Sequence, residues 1–286
     1  MFKKRLISIS LVVTLLIGAK IMISDHLAKA HTLMVTANYT KASPEGIDDP
    51  VWRKAQAVQL LVEGREKSTG DNGTVSTWSL YTDDSLYFLF KWKDPTRSII
   101  KQSWKYDGKN WHHLQGNEDR IALLFEITRT DKFATRGCAV TCHSPADEPR
   151  EKWKLATKTV TEKGDLWHWK AARSAPYNYA DDAWLTVAGS PTGSYRETGR
   201  RKDAGKGGDL KKQTEDGTQP LYMQDPFKKR SVPEFLLLEE AIKITDYSIF
   251  KAGDKIPFRL PIKPSGSRFD VKSISRYANG GWMVML

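Results

Sequence analysis

The sequence predicts an all-β protein, a sandwich with long loops and a few short helices. Short runs of β-branched and aromatic residues recur along the chain, turn signals separate them, and helical periodicity is confined to brief pieces. The ten Trp, ten Tyr and ten Phe agree with this prediction, because aromatic side chains suit a pleated, half-buried surface. After a short leader, the 286 residues leave enough chain for one large β-rich domain or two small ones.

The first half of the chain contains four predicted strands, at residues 57–62, 74–81, 85–92 and 119–127. The second and third flank Thr82-Asp83-Asp84 and should form a hairpin. Every second residue of the third strand is apolar, beginning at Leu86, so one of its faces is expected to be buried. The apolar centre of the fourth strand fits a sandwich core.

The second half shows one hairpin, one helix-like piece and one loop-like segment. The hairpin joins residues 269–277 to 282–286 through Ala278-Asn279-Gly280-Gly281, since Asn-Gly is a strong hairpin turn. Residues 234–242 have helix-like periodicity. Residues 189–219 are rich in Gly, Lys, Arg, Asp and Thr, and they are expected to form a basic loop insertion, either long and ordered or locally disordered.

The N-terminus has the layout of an export signal. Lys3-Lys4-Arg5 is followed by a largely apolar stretch over residues 6–24, and Ala28-Lys29-Ala30 is a small-x-small cleavage site. Residues 1–30 are therefore predicted to be a signal peptide and residues 31–286 the mature domain. The alternative is an uncleaved membrane anchor, although Lys20 interrupts the apolar run. No other segment is expected to span a membrane, and the protein is expected to be periplasmic or otherwise exported.

Both cysteines of the chain stand in one short motif, Cys138-Ala139-Val140-Thr141-Cys142-His143. Two thiols followed directly by a histidine are the arrangement that attaches a haem covalently, with the imidazole as an iron ligand. The usual spacer is two residues, and here it is three. Because covalent attachment follows export, the signal and the motif support one another.

Two other uses of the cysteines stay open at this point. A disulfide between Cys138 and Cys142 suits an exported protein but does not explain His143. Zinc requires four ligands, and the cluster supplies three.

Residues 165–173 are predicted to hold a further strand, and it carries the candidates for a second iron ligand. Strand alternation would place Trp167 and Trp169 on one face and His168 and Lys170 on the other. Neutral imidazole is the usual ligand, whereas a lysine serves only after its amine has lost a proton. The simpler alternative is that both side chains face solvent.

The remaining candidates have ordinary explanations. We expect His112-His113 to lie in a solvated loop and Met223 to serve in packing. Asp181-Asp182 and Glu239-Glu240 have no nearby basic residue in the sequence, so they are expected to be turn and surface residues. The formal charge of +11 favours docking on an acidic partner, and a generally solvated basic surface explains it equally well. A nucleic-acid partner is not expected, because the chain has no recognisable binding motif.

Several segments, in their order along the chain, resemble the haem-binding domain of the ethylbenzene dehydrogenase gamma-subunit family. The resemblance extends from about Asp48 to the C-terminus. The segments are Asp48-Asp49-Pro50-Val51-Trp52, Ser76 to Phe88, Trp92-Lys93-Asp94-Pro95-Thr96, Glu118-Asp119-Arg120, the Cys138–His143 motif and Asp165-Leu166-Trp167-His168-Trp169-Lys170-Ala171.

The resemblance implies a β-sandwich that carries one haem. The b-type members of that family are electron-transfer subunits of periplasmic molybdenum enzymes, with Met and Lys as axial ligands. The family lysine falls on Lys170, and His143 would stand where those members have the methionine. The chain is therefore similar to the c-type branch, which includes cytochrome subunits linked to nitrate or nitrite oxidoreductases.

The resulting hypothesis is an exported cytochrome with one covalent haem c, an electron-transfer protein rather than an enzyme. Cys138, Cys142 and His143 would bind the haem, with Lys170, or else His168, as the sixth ligand. The expected partners are redox proteins, including the molybdenum and iron-sulfur subunits of an oxidoreductase. Two alternatives stay open: a carbohydrate-type binding module with a Cys138–Cys142 disulfide, and a haem sensor or enzyme with an open sixth site.

Overall fold

Strands dominate the part of the chain that the computed structural model describes, residues 33–62, 73–143, 154–188 and 199–286. The predicted all-β fold class is therefore confirmed. The strands are β1 (Asn38–Tyr39), β2 (Val58–Val62), β3 (Gly73–Tyr81), β4 (Leu86–Lys93), β5 (Ser103–Tyr106), β6 (Trp111–Leu114), β7 (Arg120–Glu126), β8 (Cys142–His143), β9 (Lys154–Leu155), β10 (Gly164–Lys170), β11 (Asp181–Leu185), β12 (Arg200–Lys202), β13 (Asp209–Lys211), β14 (Tyr222–Gln224), β15 (Ala241–Lys243), β16 (Lys255–Pro257), β17 (Arg259–Pro261), β18 (Ile274–Tyr277) and β19 (Gly281–Met285).

Helices in this part of the chain are short. The α-helix α1 spans Phe133–Arg136. The 3-10 helices are Pro50–Lys54, Gly137–Val140, Ala175–Tyr177, Leu238–Glu240 and Ser267–Phe269. Among the described residues, no helix has both the length and the apolar character needed to cross a bilayer. The predicted signal or anchor lies outside the described residues.

The large sheet has the strand order β1-β3-β4-β19-β18, and β2 also pairs with β3. The predicted hairpin of β3 and β4 is confirmed, with Tyr81 opposite Leu86 beside the turn. The C-terminal hairpin of β18 and β19 is also confirmed. Its turn residues Asn279 and Gly280 both have positive φ, at 52° and 65°, as a tight turn of this kind requires. Its first strand begins at Ile274 rather than 269.

The small sheet has the order β12-β11-β10-β7, and all its pairs are antiparallel. One of its faces packs on the large sheet and closes the sandwich. Trp169 is completely buried there, and its ring meets those of Trp92 and Trp282 edge-on at centroid distances of 6.3 and 5.0 Å. Phe90 and Leu123 belong to the same core. These aromatic residues thus join the two sheets.

The smaller ladders surround the sandwich. β5 pairs with both β6 and β16, β13 with β17, and β14 with β15. Residues 199–219, expected to be loop, contain β12 and β13. Both strands form by pairing with distant partners, which local composition does not reveal. Residues 189–198 of that expected insertion lie outside the described residues.

The predicted helix at residues 234–242 is wrong. Only Leu238–Glu240 form a single 3-10 turn, and the chain then continues into β15. Leu236 and Leu237 are consecutive and both buried, whereas one face of a helix would bury residues three or four apart. Pairing with β14 satisfies the backbone of β15 instead.

Candidate functional site

The predicted alternation of the strand at residues 165–173 is confirmed by β10. Trp167 and Trp169 point into the core between the sheets. His168 and Lys170 therefore lie on the outer face of the small sheet, because successive side chains of a strand alternate. His168 stands between Ala122 of β7 and Asp181 of β11 in the register of the sheet. The two candidate ligands thus share one face, as the sequence predicted.

Lys170 is buried and sits in an ion-pair cluster. Its Nζ donates to Oδ2 of Asp181 at 2.5 Å. The other carboxylate oxygen, Oδ1, accepts from Nε of Arg268 at 2.6 Å, and Nη2 of Arg200 lies 3.3 Å from Oδ2. Lys170, Asp181 and Arg268 are each at most 5% exposed. One carboxylate is therefore shared by three cations, so it keeps a partner even when Lys170 is neutral.

Burial lowers the pKa of Lys170 to about 7, although Asp181 acts in the opposite direction, and the nearby Arg200 and Arg173 add to the lowering. Burial alone would raise the pKa of Asp181, but Lys170 and Arg268 hold it below its ordinary value. Burial, followed by the charge of Lys170, lowers the pKa of His168 to about 2. The outer face thus holds a neutral imidazole beside an amine that needs little further help to lose its proton.

The loop after β10 builds the wall of a pocket beside Lys170. Ser174 Oγ accepts from the Lys170 backbone N–H at 2.8 Å and so turns the chain sharply away from the strand. Arg173 is held by Glu118, whose Oε1 accepts from its Nε at 2.6 Å. Tyr179 Oη accepts from the backbone N–H of Gly208 at 2.9 Å. Each wall residue therefore has a definite anchor.

Gly208 is required for the packing of this wall. Its φ is +80°, and a Cβ there would lie 2.7 Å from Nη2 of Arg268. A side chain would therefore strain the backbone and displace the guanidinium from Asp181.

The pocket has a volume of about 430 Å³, counting the space that opens to solvent, and its lining is strongly basic. Five cationic side chains face two carboxylates, an excess of three positive charges when Lys170 is protonated. The lining residues are Lys170, Arg173, Ser174, Tyr179, Asp181, Arg200, Lys202, Gly208, Asp209 and Arg268.

The cysteine motif lies on a segment that precedes β10 in the chain. Gly137, with a φ of 55°, ends α1 and begins the 3-10 turn that holds Cys138, which is exposed. The backbone carbonyl of Cys138 accepts from both the N–H and the hydroxyl of Thr141, at 3.0 and 2.7 Å. Cys142 and His143 form β8, but their side chains lie outside what the structure describes.

Backbone hydrogen bonds attach this segment to one edge of the small sheet. β8 pairs with β9, whose Leu155 carbonyl accepts from Gly199 N at 2.7 Å. Thr157 bridges in parallel to Val187, just beyond the end of β11. Since β8 is antiparallel to β9, it runs back from this end of the sheet toward the end that carries Lys170. The length of β10 separates the two ends, roughly 20 Å at the ordinary rise of a strand.

The other sequence candidates have packing or surface roles in the described structure. His112 and His113 lie on β6, not in a loop as expected. His112 contacts Asp107, and the ring of His113 packs on Phe258 at a centroid distance of 4.3 Å. Met223 packs against the aliphatic and aromatic cluster around the same phenylalanine, in line with the expected packing role.

The expectation that Asp181-Asp182 is a surface turn is wrong. Both residues are buried on β11, on opposite faces of the sheet. Burial, together with the neighbouring Asp165, raises the pKa of Asp182. Asp181 and Arg268 were missed because their partners are distant in the sequence. Asp181 follows Lys170 by eleven residues and Arg268 follows Asp181 by 87.

Comparison with known proteins gives one family match. Residues 49–286 match the family model described as ethylbenzene dehydrogenase. A comparison with curated proteins found no significant match. The family match includes every strand after β1, the cysteine motif and the basic pocket.

Proposed function

The chain belongs to the ethylbenzene dehydrogenase family, and we propose that it is an exported monohaem c-type cytochrome that transfers electrons. Family membership relates it to subunits of molybdenum oxidoreductase complexes. The proposal makes it the electron-transfer subunit of such a complex, of the nitrate or nitrite type, rather than the subunit that converts substrate. Its partners would be the molybdenum and iron-sulfur subunits.

One arrangement carries the proposal. The Cys-x3-Cys-His motif is joined by backbone hydrogen bonds to the edge of the sheet whose outer face buries Lys170. Two thiols, an imidazole and a buried amine are the kinds of donor that would hold a covalently attached haem and bind its iron.

Lys170, on the outer face of the small sheet, is suited to bind a haem iron. A buried lysine is costly while it is charged, and its lowered pKa of about 7 makes the neutral amine available near neutral pH. Asp181 is not left as an unpaired buried charge when Lys170 turns away, because Arg268 and Arg200 remain beside it. Lys170 could therefore leave its ion pair without stranding an unpaired charge on Asp181.

The chemistry of each side chain suggests its role in holding the haem. Cys138 and Cys142 would hold the haem through their thiols, and His143 and Lys170 would be the side chains that bind its iron. His168 is the second choice for the sixth position, since it lies on the same face and is already neutral. The haem, when bound, supplies a one-electron redox couple. The protein holds it, sets its potential through the ligands and burial, and exposes one edge to partners.

Export is part of the proposal, because haem attachment of this kind follows translocation. Residues 1–30 would be the signal, and the mature chain would begin at His31 in the periplasm or another exported location. If the signal is not cleaved, residues 6–24 would hold the protein at the membrane.

The proposal is tested with protein made in a host that carries out cytochrome c maturation. The mass should exceed that of the chain by one haem, the haem should survive acid-acetone extraction, and a pyridine haemochrome spectrum should report thioether attachment. In the double variant Cys138→Ala, Cys142→Ala, the haem should become dissociable or be lost. Complete extraction of haem from the wild-type protein would contradict covalent attachment. Protein without any haem, and with a disulfide by mass, would support the binding-module alternative.

A further inference from the structure

Trp92, Trp169 and Trp282 form a tryptophan cluster in the core between the two sheets. The ring centroid of Trp282 on β19 lies 5.0 Å from that of Trp169 on β10 and 6.4 Å from that of Trp92 on β4. Trp92 and Trp169 are also neighbours, at 6.3 Å. Indole rings this close can pass an electron from one to the next, because electron tunnelling weakens steeply with separation.

The indole N–H groups of Trp282 and Trp169 have different surroundings. Nε1 of Trp282 donates to Oδ2 of Asp119 at 2.7 Å. Nε1 of Trp169 is buried and meets no acceptor among the described residues, although a buried indole ordinarily finds one. A hydrogen bond of the length seen at Trp282 is within the reach over which a proton is transferred. Trp282 therefore has a base beside it, and Trp169 has none in the described part of the chain.

Asp119 is held in place and is suited to accept a proton. The oxygen that faces Trp282 also accepts from the backbone N–H of Ser98 at 2.8 Å. Burial raises the pKa of Asp119, and the nearby Asp94 adds to the raising, whereas the hydrogen bonds from Trp282 and Ser98 act in the opposite direction. A carboxylate whose pKa is raised binds a proton more readily than an ordinary one.

We propose that Trp282 is a redox-active residue, which gives an electron to a strong one-electron oxidant while Asp119 takes its indole proton. The N–H bond of Trp282 breaks and an O–H bond forms on Asp119. The indole becomes a neutral radical, and the oxidant is reduced by one electron. The oxidant would be of the class that peroxide generates in a haem protein. That biological role rests on the proposed function, whereas the chemistry of Trp282 and Asp119 does not.

An oxidising equivalent that enters the tryptophan cluster should come to rest on Trp282. An oxidised Trp169 would keep its proton and hold a positive charge in the core, which is costly. When Trp282 supplies the missing electron, its proton moves to a carboxylate, and the buried positive and negative charges both disappear. The oxidising equivalent thereby leaves the strand that carries Lys170 and moves to the large sheet.

Trp167 is the rival site, because its Nε1 also donates to a carboxylate, Oδ2 of Asp165, at 2.9 Å. The rings in contact with it are those of Phe125 and Phe88, at centroid distances of 4.8 and 6.3 Å. Phenylalanine is much harder to oxidise than tryptophan, so these rings do not relay an electron. Trp282 is therefore favoured by its tryptophan neighbours, and Trp167 has to be tested beside it.

The test uses the full-length protein as purified, with or without haem, because the oxidant is added from outside. A ruthenium polypyridyl complex that is photo-oxidised by a flash and a quencher supplies it. Transient absorption and electron paramagnetic resonance distinguish the neutral tryptophan radical from the radical cation. The wild-type protein should form the neutral radical, and it should do so more slowly after exchange into D2O, because a proton moves with the electron.

Two variants address the two residues of the pair. Trp282→Phe should at least halve the yield of neutral tryptophan radical. Asp119→Asn keeps an oxygen that can accept the indole N–H but removes the base, so it should lower the yield by a similar factor. The matched control is Trp104→Phe. Trp104 is also buried, but its indole donates to a backbone carbonyl, that of Lys212, at 2.8 Å, and its loss should leave the yield unchanged. Urea unfolding checks that each variant is folded.

Three results would overturn the inference. The first is a wild-type protein that forms no neutral tryptophan radical, or forms it at the same rate in D2O. The second is a wild-type yield in folded Trp282→Phe or Asp119→Asn protein. The third is loss of the radical in Trp167→Phe but not in Trp282→Phe, which would assign the site to Trp167. None of these results bears on the haem proposal, which is tested separately by mass and by extraction.

Discussion

Lys170 illustrates how a single side chain can be prepared for metal binding by its surroundings. Groups from several elements surround it: Arg120, opposite it on β7, Asp181 and Arg268, Arg173 in the following loop, and Arg200 on β12. Burial and the positive neighbours oppose the charge of Lys170, and Asp181 supports it. The balance lowers its pKa to about 7, so that the proton is held weakly.

At the residue scale, replacing Lys170 by Ala should convert low-spin haem iron to a high-spin form in protein from a maturation-competent host. His168→Ala should leave the low-spin spectrum intact. The reason is that Lys170 is the proposed sixth ligand, whereas His168 is a neighbour on the same face. If only the His168 variant loses the low-spin bands, the ligand is His168. If neither variant changes, the ligand lies elsewhere. Electronic absorption and electron paramagnetic resonance spectra distinguish these outcomes.

Acid should produce the same spin change in the wild-type protein. A bound lysine is deprotonated, so protons compete with iron for its amine. The free amine has a pKa of about 7, and the iron bond stabilises the neutral form further. The low-spin state should therefore be complete above pH 7 and be lost at a midpoint below it. A low-spin spectrum that persists to the pH at which the protein unfolds would contradict lysine ligation. A wild-type protein that is high-spin at neutral pH and binds carbon monoxide readily would favour the sensor or enzyme alternative.

At the scale of elements, each strand of the small sheet serves two purposes through its alternation. β10 directs its tryptophans into the core and the candidate iron ligands His168 and Lys170 to the outer face. β11 places Asp181 and Asp182 on opposite faces in the same way. The core contacts hold the strands in register, and the register brings the outer-face residues together. A slip by one residue would exchange the two faces.

Truncation of an inward side chain of the small sheet should destabilise the whole sandwich. Leu123 on β7 is 4% exposed and belongs to the core. Leu123→Ala should lower the free energy of unfolding by about 2–5 kcal/mol, because it removes buried methyl groups and leaves a cavity. The matched control is Leu61→Ala on the edge strand β2, where the leucine is 53% exposed, with an expected change within about 0.5 kcal/mol. Urea unfolding followed by tryptophan fluorescence measures both, and equal losses would contradict the packing described here.

The sequence predicted those elements whose pattern is local. The β3–β4 hairpin has a polar turn between alternating strands, and the β18–β19 hairpin has Asn-Gly. Prediction from the sequence failed for β12, β13 and β15, which are each only three residues long. Strands this short carry too few residues for a period of two to be visible, and they exist only because a distant partner supplies hydrogen bonds.

At the scale of the whole molecule, the proposed location depends on the N-terminus. We expect the mature protein to begin at His31, because Ala28 and Ala30 provide the small residues that signal peptidase requires at the cleavage site. N-terminal sequencing of protein purified from the periplasmic fraction tests this. An intact Met1 in the membrane fraction would indicate an anchor instead. An intact chain in the cytoplasm would contradict the proposal that haem is attached after export.

The sequence by itself determined the fold class, the two hairpins, the sharing of one face by His168 and Lys170, and the cysteine-histidine motif. These features depend on neighbouring residues or on a period of two, both of which can be read along the chain. Only the tertiary structure decided that Asp181, Arg200 and Arg268 surround Lys170, and that the motif segment is linked through β9 to the edge of the same sheet. Those contacts depend on strand order and on long loops that bring distant residues together, and local periodicity contains no record of either.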